Sequence, residues 1–150
     1  VTTHHLDPDP GTGPMRALTF WQPWASCIAY GTKRIENRRW PTDYRGLLLI
    51  HASRTLDPRA TDLPQTRAFL RRPQPMGAVL AVARLVGCHP DDGWCSLWSA
   101  AGQFHWQLTD VTRLARPLPY PGARGLWTPP AELQTVRVLA DALAQFEGAA

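Results

Sequence analysis

The segment 77–88, GAVLAVARLVGC, is twelve residues of small and branched apolar side chains broken by one charge, Arg84. A run this apolar, set off by the glycine and proline turn signals of the preceding PQPMG, reads as a strand covered on both faces rather than a strand with one wet side. A second run, LLLIHA at 47–52, has the same character. Two such strands need neighbours in a sheet and cover above and below it, which restricts the chain to β-rich folds. Arg84 requires an explanation if it points inward.

The other elements follow from weaker patterns. MRALTF at 15–20 alternates apolar and polar residues and is short enough for a first strand; FHWQLTDV at 104–111 alternates again, and 114–117 continue it through a turn or bulge. Between the first two strands, 22–30 predicts a brief helix, with Pro23 at its start, Trp24, Cys27 and Ile28 on one face, and Gly31 ending it in a left-handed conformation. Residues 33–40 read as a strand or irregular edge with Ile35 inward. Segment 61–70, lying beyond Pro58 and around Pro64, predicts a helix or a loose loop. Three prolines and two glycines make 117–127 a fixed-shape loop. Pro130 opens a final helix through Phe146, with Leu133, Val136, Ala140 and Leu143 at helical spacing, packed on the core as a lid. Five or six strands with few helices predict an α+β fold, a small β-barrel with helices at its rim, one of them C-terminal.

At 150 residues the chain is one domain's worth, able to bury roughly two-thirds of its unfolded surface. The polar, proline-rich residues 1–14 predict a mobile tail, and 15–147 a single domain. No run of about eighteen apolar residues is present to cross a bilayer, nor is a secretory layout, so a soluble cytoplasmic protein without membrane partners is expected. Cys27, Cys88 and Cys95 form an odd, sparse set, which fits free thiols in a reducing compartment.

Charge is unevenly spread. From Arg16 to Arg72 eleven basic residues face four acids, a balance of +7, whereas from Pro73 onward five face six, a balance of −1. A positive half suits a polyanion, because neutralised phosphates release counterions. Fifteen of the sixteen basic residues are arginine, and the exception is Lys33. Lysine is a compact charge whose proton affinity falls on burial, so it is not exchangeable with arginine in a tight site.

The residues around Lys33 carry a resemblance. Gly31-Thr32-Lys33-Arg34-Ile35-Glu36-Asn37-Arg38 resembles the G-x-K-x-x-E-x-R signature of the ASCH domain, within the PUA-like superfamily. Gln22-Pro23-Trp24-Ala25 is similar to the opening of that family's first helix, Tyr44-Arg45-Gly46 and Leu49-Ile50-His51-Ala52 to its R-G-x-[LI]-x-I-H-A strand, and 106–117 to its W-x-[LI]-x-[DN] segment. What the resemblance implies is a PUA-like barrel with a nucleic-acid cleft between the barrel mouth and the first helix.

The residue types agree with that implication. Lys33, Arg38, Arg39 and Arg45 can neutralise phosphates, and Trp24 and Trp40 offer faces on which bases of a single strand stack, with Trp106 and Trp127 as further candidates. Glu36 can accept from a base edge or hold Lys33 or Arg38 in place. A shared site for Lys33 and Glu36 requires Lys33 on the turn before the strand, because strict alternation would separate them. Gln22 and Ser53 complete the expected interface for RNA or single-stranded DNA, or for a flipped-out or modified base.

The alternative is a hydrolase using Lys33 and Glu36, either a ribonuclease, with His51 and Arg38 in supporting parts, or an acylcytidine amidohydrolase. Members of the amidase branch that the resemblance brings in carry a threonine three residues after the lysine, where this chain has Glu36, and a carboxylate does not replace an activated hydroxyl. Thr32 and Ser53, nearby in sequence or motif, offer hydroxyls, but neither stands at the family position. A small-ligand or protein-interaction sensor using the same cleft is a third class. Cys88, His89 and Cys95, with Asp91 and Asp92 between, lack a recognised zinc spacing, and no phosphate-cradling glycine loop is present, so neither metal nor cofactor is expected.

Overall fold

The computed structural model describes residues 14–137 and 139–140. Residues 1–13 and the far end of the expected final helix, Leu143 included, lie outside the described residues. Within the described residues, six strands form one sheet: β1 (Arg16–Gln22), β2 (Ile35–Arg38), β3 (Gly46–Leu56), β4 (Ala78–His89), β5 (Phe104–Pro119) and β6 (Leu126–Trp127). Their order is β2-β5-β4-β3-β1-β6, and the sheet curls into a half-barrel. Among the described residues only β1 and β3 pair in parallel, and α1 (Trp24–Ala29) opens the connection between them.

The two apolar runs are the neighbouring strands β3 and β4. Residues 47–52 of β3 and 78–83 of β4 are buried on both faces, as their continuous apolarity requires, while β4 emerges towards its end, where Val86 is exposed. Inside the curl, Leu18, Phe20, Leu48, Ile50, Leu80, Trp106 and Leu108 pack with α1 residues Ala25 and Ile28. On the outer face Met15, Ala17, Leu47, Leu49, Val79 and Val82 pack against Leu133, Val136 and Ala140. Those last three belong to the final helical segment, which begins as α3 (Ala131–Gln134), so the expected helix does cover a sheet face. Arg84 points away from the inner core and pairs with Asp110 at 3.5 Å.

Two local expectations change. Segment 58–66 forms two short 3-10 turns, followed by α2 (Arg67–Leu70), between the helix and the loose loop expected over 61–70; Pro58 and Pro64 each start a turn and block continuation. Gly31 does not take a left-handed conformation. The reason for glycine there is space: a Cβ would sit 2.6 Å from Phe69 Cζ and 2.8 Å from the Cys27 carbonyl oxygen. Strand β5 runs through both predicted pieces, and the expected bulge appears as register shifts against β4 with Asp110 at φ 50.

Candidate functional site

Helix α1 is only six residues long, so its ends must be satisfied from outside. Gln22 Oε1 accepts from the Ser26 N–H at 3.0 Å, while Gln22 Nε2 donates to Ser26 Oγ and to the Pro75 carbonyl. At the other end one Arg34 guanidinium nitrogen donates to the carbonyls of Ile28, Gly31 and Lys33. Gln22 is fully buried and committed to this cap, and Arg34 is the capping residue that sequence reasoning missed.

Lys33 sits on the turn before β2. Its N–H donates to the Cys27 carbonyl, and its side chain turns inward to 1% exposure. The ammonium donates to the Ile35 carbonyl, lies 3.6 Å from Glu36 Oε1, and is 5.5 Å and 6.0 Å from the ring centroids of Trp24 and Trp98. Burial lowers the proton affinity of this lysine, and the adjacent Glu36 carboxylate opposes the shift. Glu36 is shared: Oε1 also accepts from the Asn37 N–H, and Oε2 accepts from Arg38 Nε and Nη2 at 3.2 Å and 2.9 Å.

Arg38 continues the chain of contacts. It donates to the Thr19 carbonyl and lies 5.3 Å from the Phe20 ring and 5.6 Å from the Trp40 ring. Lys33, Glu36 and Arg38 thus form a largely buried triad of alternating charge, with the Trp24 and Trp98 rings near the ammonium and the Trp40 ring near the guanidinium. The turn position of Lys33 brings the ammonium and carboxylate together as the shared site requires. Trp106, fully buried, donates its indole N–H to the Trp40 carbonyl and meets the Trp40 ring edge-on. It is core.

The remaining expected residues lie nearer solvent. Trp40 is 43% exposed. Arg39 and Arg45 are exposed, Arg45 donating to the carbonyls of Thr42 and Tyr44. Trp24 is half-buried, with its indole N–H held by Asp57. Ser53, half-buried, accepts from the Thr55 N–H.

A cavity of about 650 Å³ opens elsewhere, between β1, β3 and the loop after β5. Ser53 is the one expected interface residue that lines it, together with Thr19, His51, Arg54 and Arg124. Arg54 and Arg124 make no ion pair among the described residues. Beneath them a hydrogen-bond chain is fixed by chemistry. The Tyr120 carbonyl can only accept, so His51 Nε2 donates to it at 2.6 Å. Burial holds the His51 pKa below its ordinary value, leaving Nδ1 to accept from the Thr19 hydroxyl at 3.2 Å. Trp127, whose indole only donates, supplies Thr19 Oγ1. It also stacks on Tyr120 with planes 8° apart. Gly122 closes over the pair, where a Cβ would stand 2.7 Å from both His51 and Thr19.

A six-stranded half-barrel with a rim helix, followed by a buried lysine–glutamate–arginine turn, defines a PUA-like domain. Within that class the ASCH domain model matches residues 18–118, and the chain belongs to the ASCH family. It is 35% identical over 80 residues to activating signal cointegrator 1 of Mus musculus and 34% identical over 80 residues to that of Homo sapiens. Each match covers 47% of this chain, which spans only 14% of either relative. The fold is similar to that of the ASCH protein of Zymomonas mobilis, with TM-score 0.54 and 15% identity over 88% of this chain and 96% of that one. A tyrosine-to-phenylalanine mutant of the Zymomonas protein gives TM-score 0.54 at 16% identity over 85% of this chain and 98% of that one.

Proposed function

We propose that this ASCH domain is a nucleic-acid-binding module with an RNA-related role. Support for the class comes from the family and from the likeness to activating signal cointegrator 1. The observation that carries it is the cavity: about 650 Å³, with two guanidinium groups at its wall that pair with no acid among the described residues, and hydroxyl groups behind them. That volume suits a nucleotide. Arg54 and Arg124 take phosphates, Ser53 offers its hydroxyl to a base edge or sugar hydroxyl, and Thr19, whose proton goes to His51, offers a remaining acceptor lone pair. Exposed Trp40, backed by the Arg38 guanidinium and next to Arg39, provides a stacking face for a flanking base. Lys33 and Glu36 serve this interface from within, by fixing β2 and the Trp40 turn, rather than by meeting phosphate.

Anisotropy titrations of labelled single-stranded RNA and DNA at two salt concentrations test the assignment. Arg54→Ala/Arg124→Ala should bind more weakly and flatten the log affinity against log salt slope by about 1.4, from about 0.7 per phosphate contact. No salt-dependent binding by the unaltered protein would refute the module and favour a small-ligand sensor.

One observation favours the hydrolase alternative, and it lies away from Lys33 and Glu36. Thr19, His51 and the Tyr120 carbonyl stand as hydroxyl, base and orienting group at hydrogen-bond distances. Cleavage or deacylation of RNA or nucleosides that disappears in Thr19→Val while binding persists would establish that reading. An inert unaltered protein would remove it.

A further inference from the structure

We propose that His89, Cys95 and His105 form a zinc site that fastens the β4–β5 loop to the sheet. The three donors come from separate places that the fold unites. His89 ends β4 and His105 lies second in β5, and the antiparallel register sets them directly opposite each other, with ring centroids 5.1 Å apart. Cys95, on the intervening loop, folds back over them. All three donor atoms lie within 4.8 Å of one another.

The hydrogen bonds leave the correct lone pairs turned inward. His105 is fully buried and its Nε2 donates to the Ala100 carbonyl at 2.8 Å. Its Nδ1 is therefore an unprotonated donor, 3.4 Å from Cys95 Sγ. In a tetrahedral site, bonds of about 2.3 Å to sulfur and about 2.0 Å to nitrogen put these two ligands roughly 3.5 Å apart, so the observed pair already has the separation of one tetrahedral edge. His89 Nδ1 donates to the Pro90 carbonyl at 2.8 Å, which leaves Nε2 as its ligand atom. Backbone-anchored imidazoles of this kind are what zinc sites use to fix ring orientation and tautomer. One thiolate and two imidazoles suit Zn²⁺ among the common divalent ions, and the exposed position of Cys95 leaves the fourth place to solvent.

The consequence reaches the ion triad. Asn37 donates to the Trp98 carbonyl and accepts from the Ala100 N–H, and the Trp98 ring lies over the Lys33 ammonium. A metal at Cys95 would hold the same loop from its other side, keeping Trp98 in place. This inference does not depend on nucleic-acid binding.

The full chain, stripped with a chelator, is titrated with Zn²⁺ against a chromophoric competitor. One equivalent should bind, and Cys95→Ser or His89→Ala should weaken it at least tenfold, while Cys88→Ser, whose thiol packs toward the inner core, should bind as the unaltered chain does. Co²⁺ should give a thiolate-to-metal charge-transfer band that is absent in Cys95→Ser. His4→Ala/His5→Ala should retain both signals. The proposal is overturned if no equivalent binds, if Cys95→Ser keeps the band, or if the His4/His5 variant loses it.

Discussion

Replacing Glu36 by glutamine keeps its shape and removes the one negative charge that serves both Lys33 and Arg38. Side-chain exposures of 2% for Lys33, 17% for Arg38 and 11% for Glu36 make this a buried triad rather than a surface pair. Removing one partner from a buried ion pair costs about 3–5 kcal/mol, because the charge left behind stays out of water. The residual exposure at Arg38 argues for the lower part of that range, about 3–4 kcal/mol. A domain of this size has about 5–15 kcal/mol in total, so the midpoint should fall by roughly 6–16 °C at about 2–4 °C per kcal/mol. Urea unfolding followed by tryptophan fluorescence, with calorimetry as a second probe, measures the loss. Lys33→Met removes the stranded ammonium, so Lys33→Met/Glu36→Gln should recover at least about 1 kcal/mol relative to the sum of the single variants. A cost for Glu36→Gln below about 1 kcal/mol, the size expected of an exposed pair, or strict additivity in the cycle, would refute the buried-triad reasoning.

Three further outcomes are expected. His51 is held neutral below its ordinary pKa of 6.5 by burial, so the unfolded chain takes up the proton first as pH falls; stability should be level above about pH 7 and decline below about 6.5 by up to about 1.4 kcal/mol per unit, until folded His51 is itself protonated. Thermal midpoints from about pH 8 to about pH 5 should show this decline beyond that of His51→Gln, and parallel curves would exclude it. Gly122→Ala should displace the loop over Thr19 and His51, costing about 1–3 kcal/mol and weakening oligonucleotide binding; unchanged affinity would mean that the loop does not shape the cavity. Gly31→Ala should cost a similar amount, about 1–3 kcal/mol, since Phe69 can swing away but the Cys27 carbonyl cannot, and a neutral result in urea unfolding would show that the helix end yields.

Features that depend on neighbours along the chain are legible in the residues alone. Apolar runs at 47–52 and 77–88 specify strands covered on both faces because so little that is polar interrupts them, and Leu133, Val136 and Ala140 specify a helical face by their spacing. The motif's order likewise made Lys33 and Glu36 partners once Lys33 stood before the strand. Charge balance showed a basic half, but not which basic groups are free. That was decided by tertiary structure: Lys33, Glu36 and Arg38 are folded in and satisfy one another, Arg34 and Gln22 are taken up as helix caps, and Arg54 and Arg124 stand at a cavity with no ion pair among the described residues. Its walls come from β1, β3 and the loop after β5, which no local spacing joins. The same holds for His105, sixteen positions from His89 in sequence and directly opposite it in the β4–β5 register. Spacing reports contacts made within a turn or a strand; pairing between strands joins residues whose separation along the chain carries no sign of it.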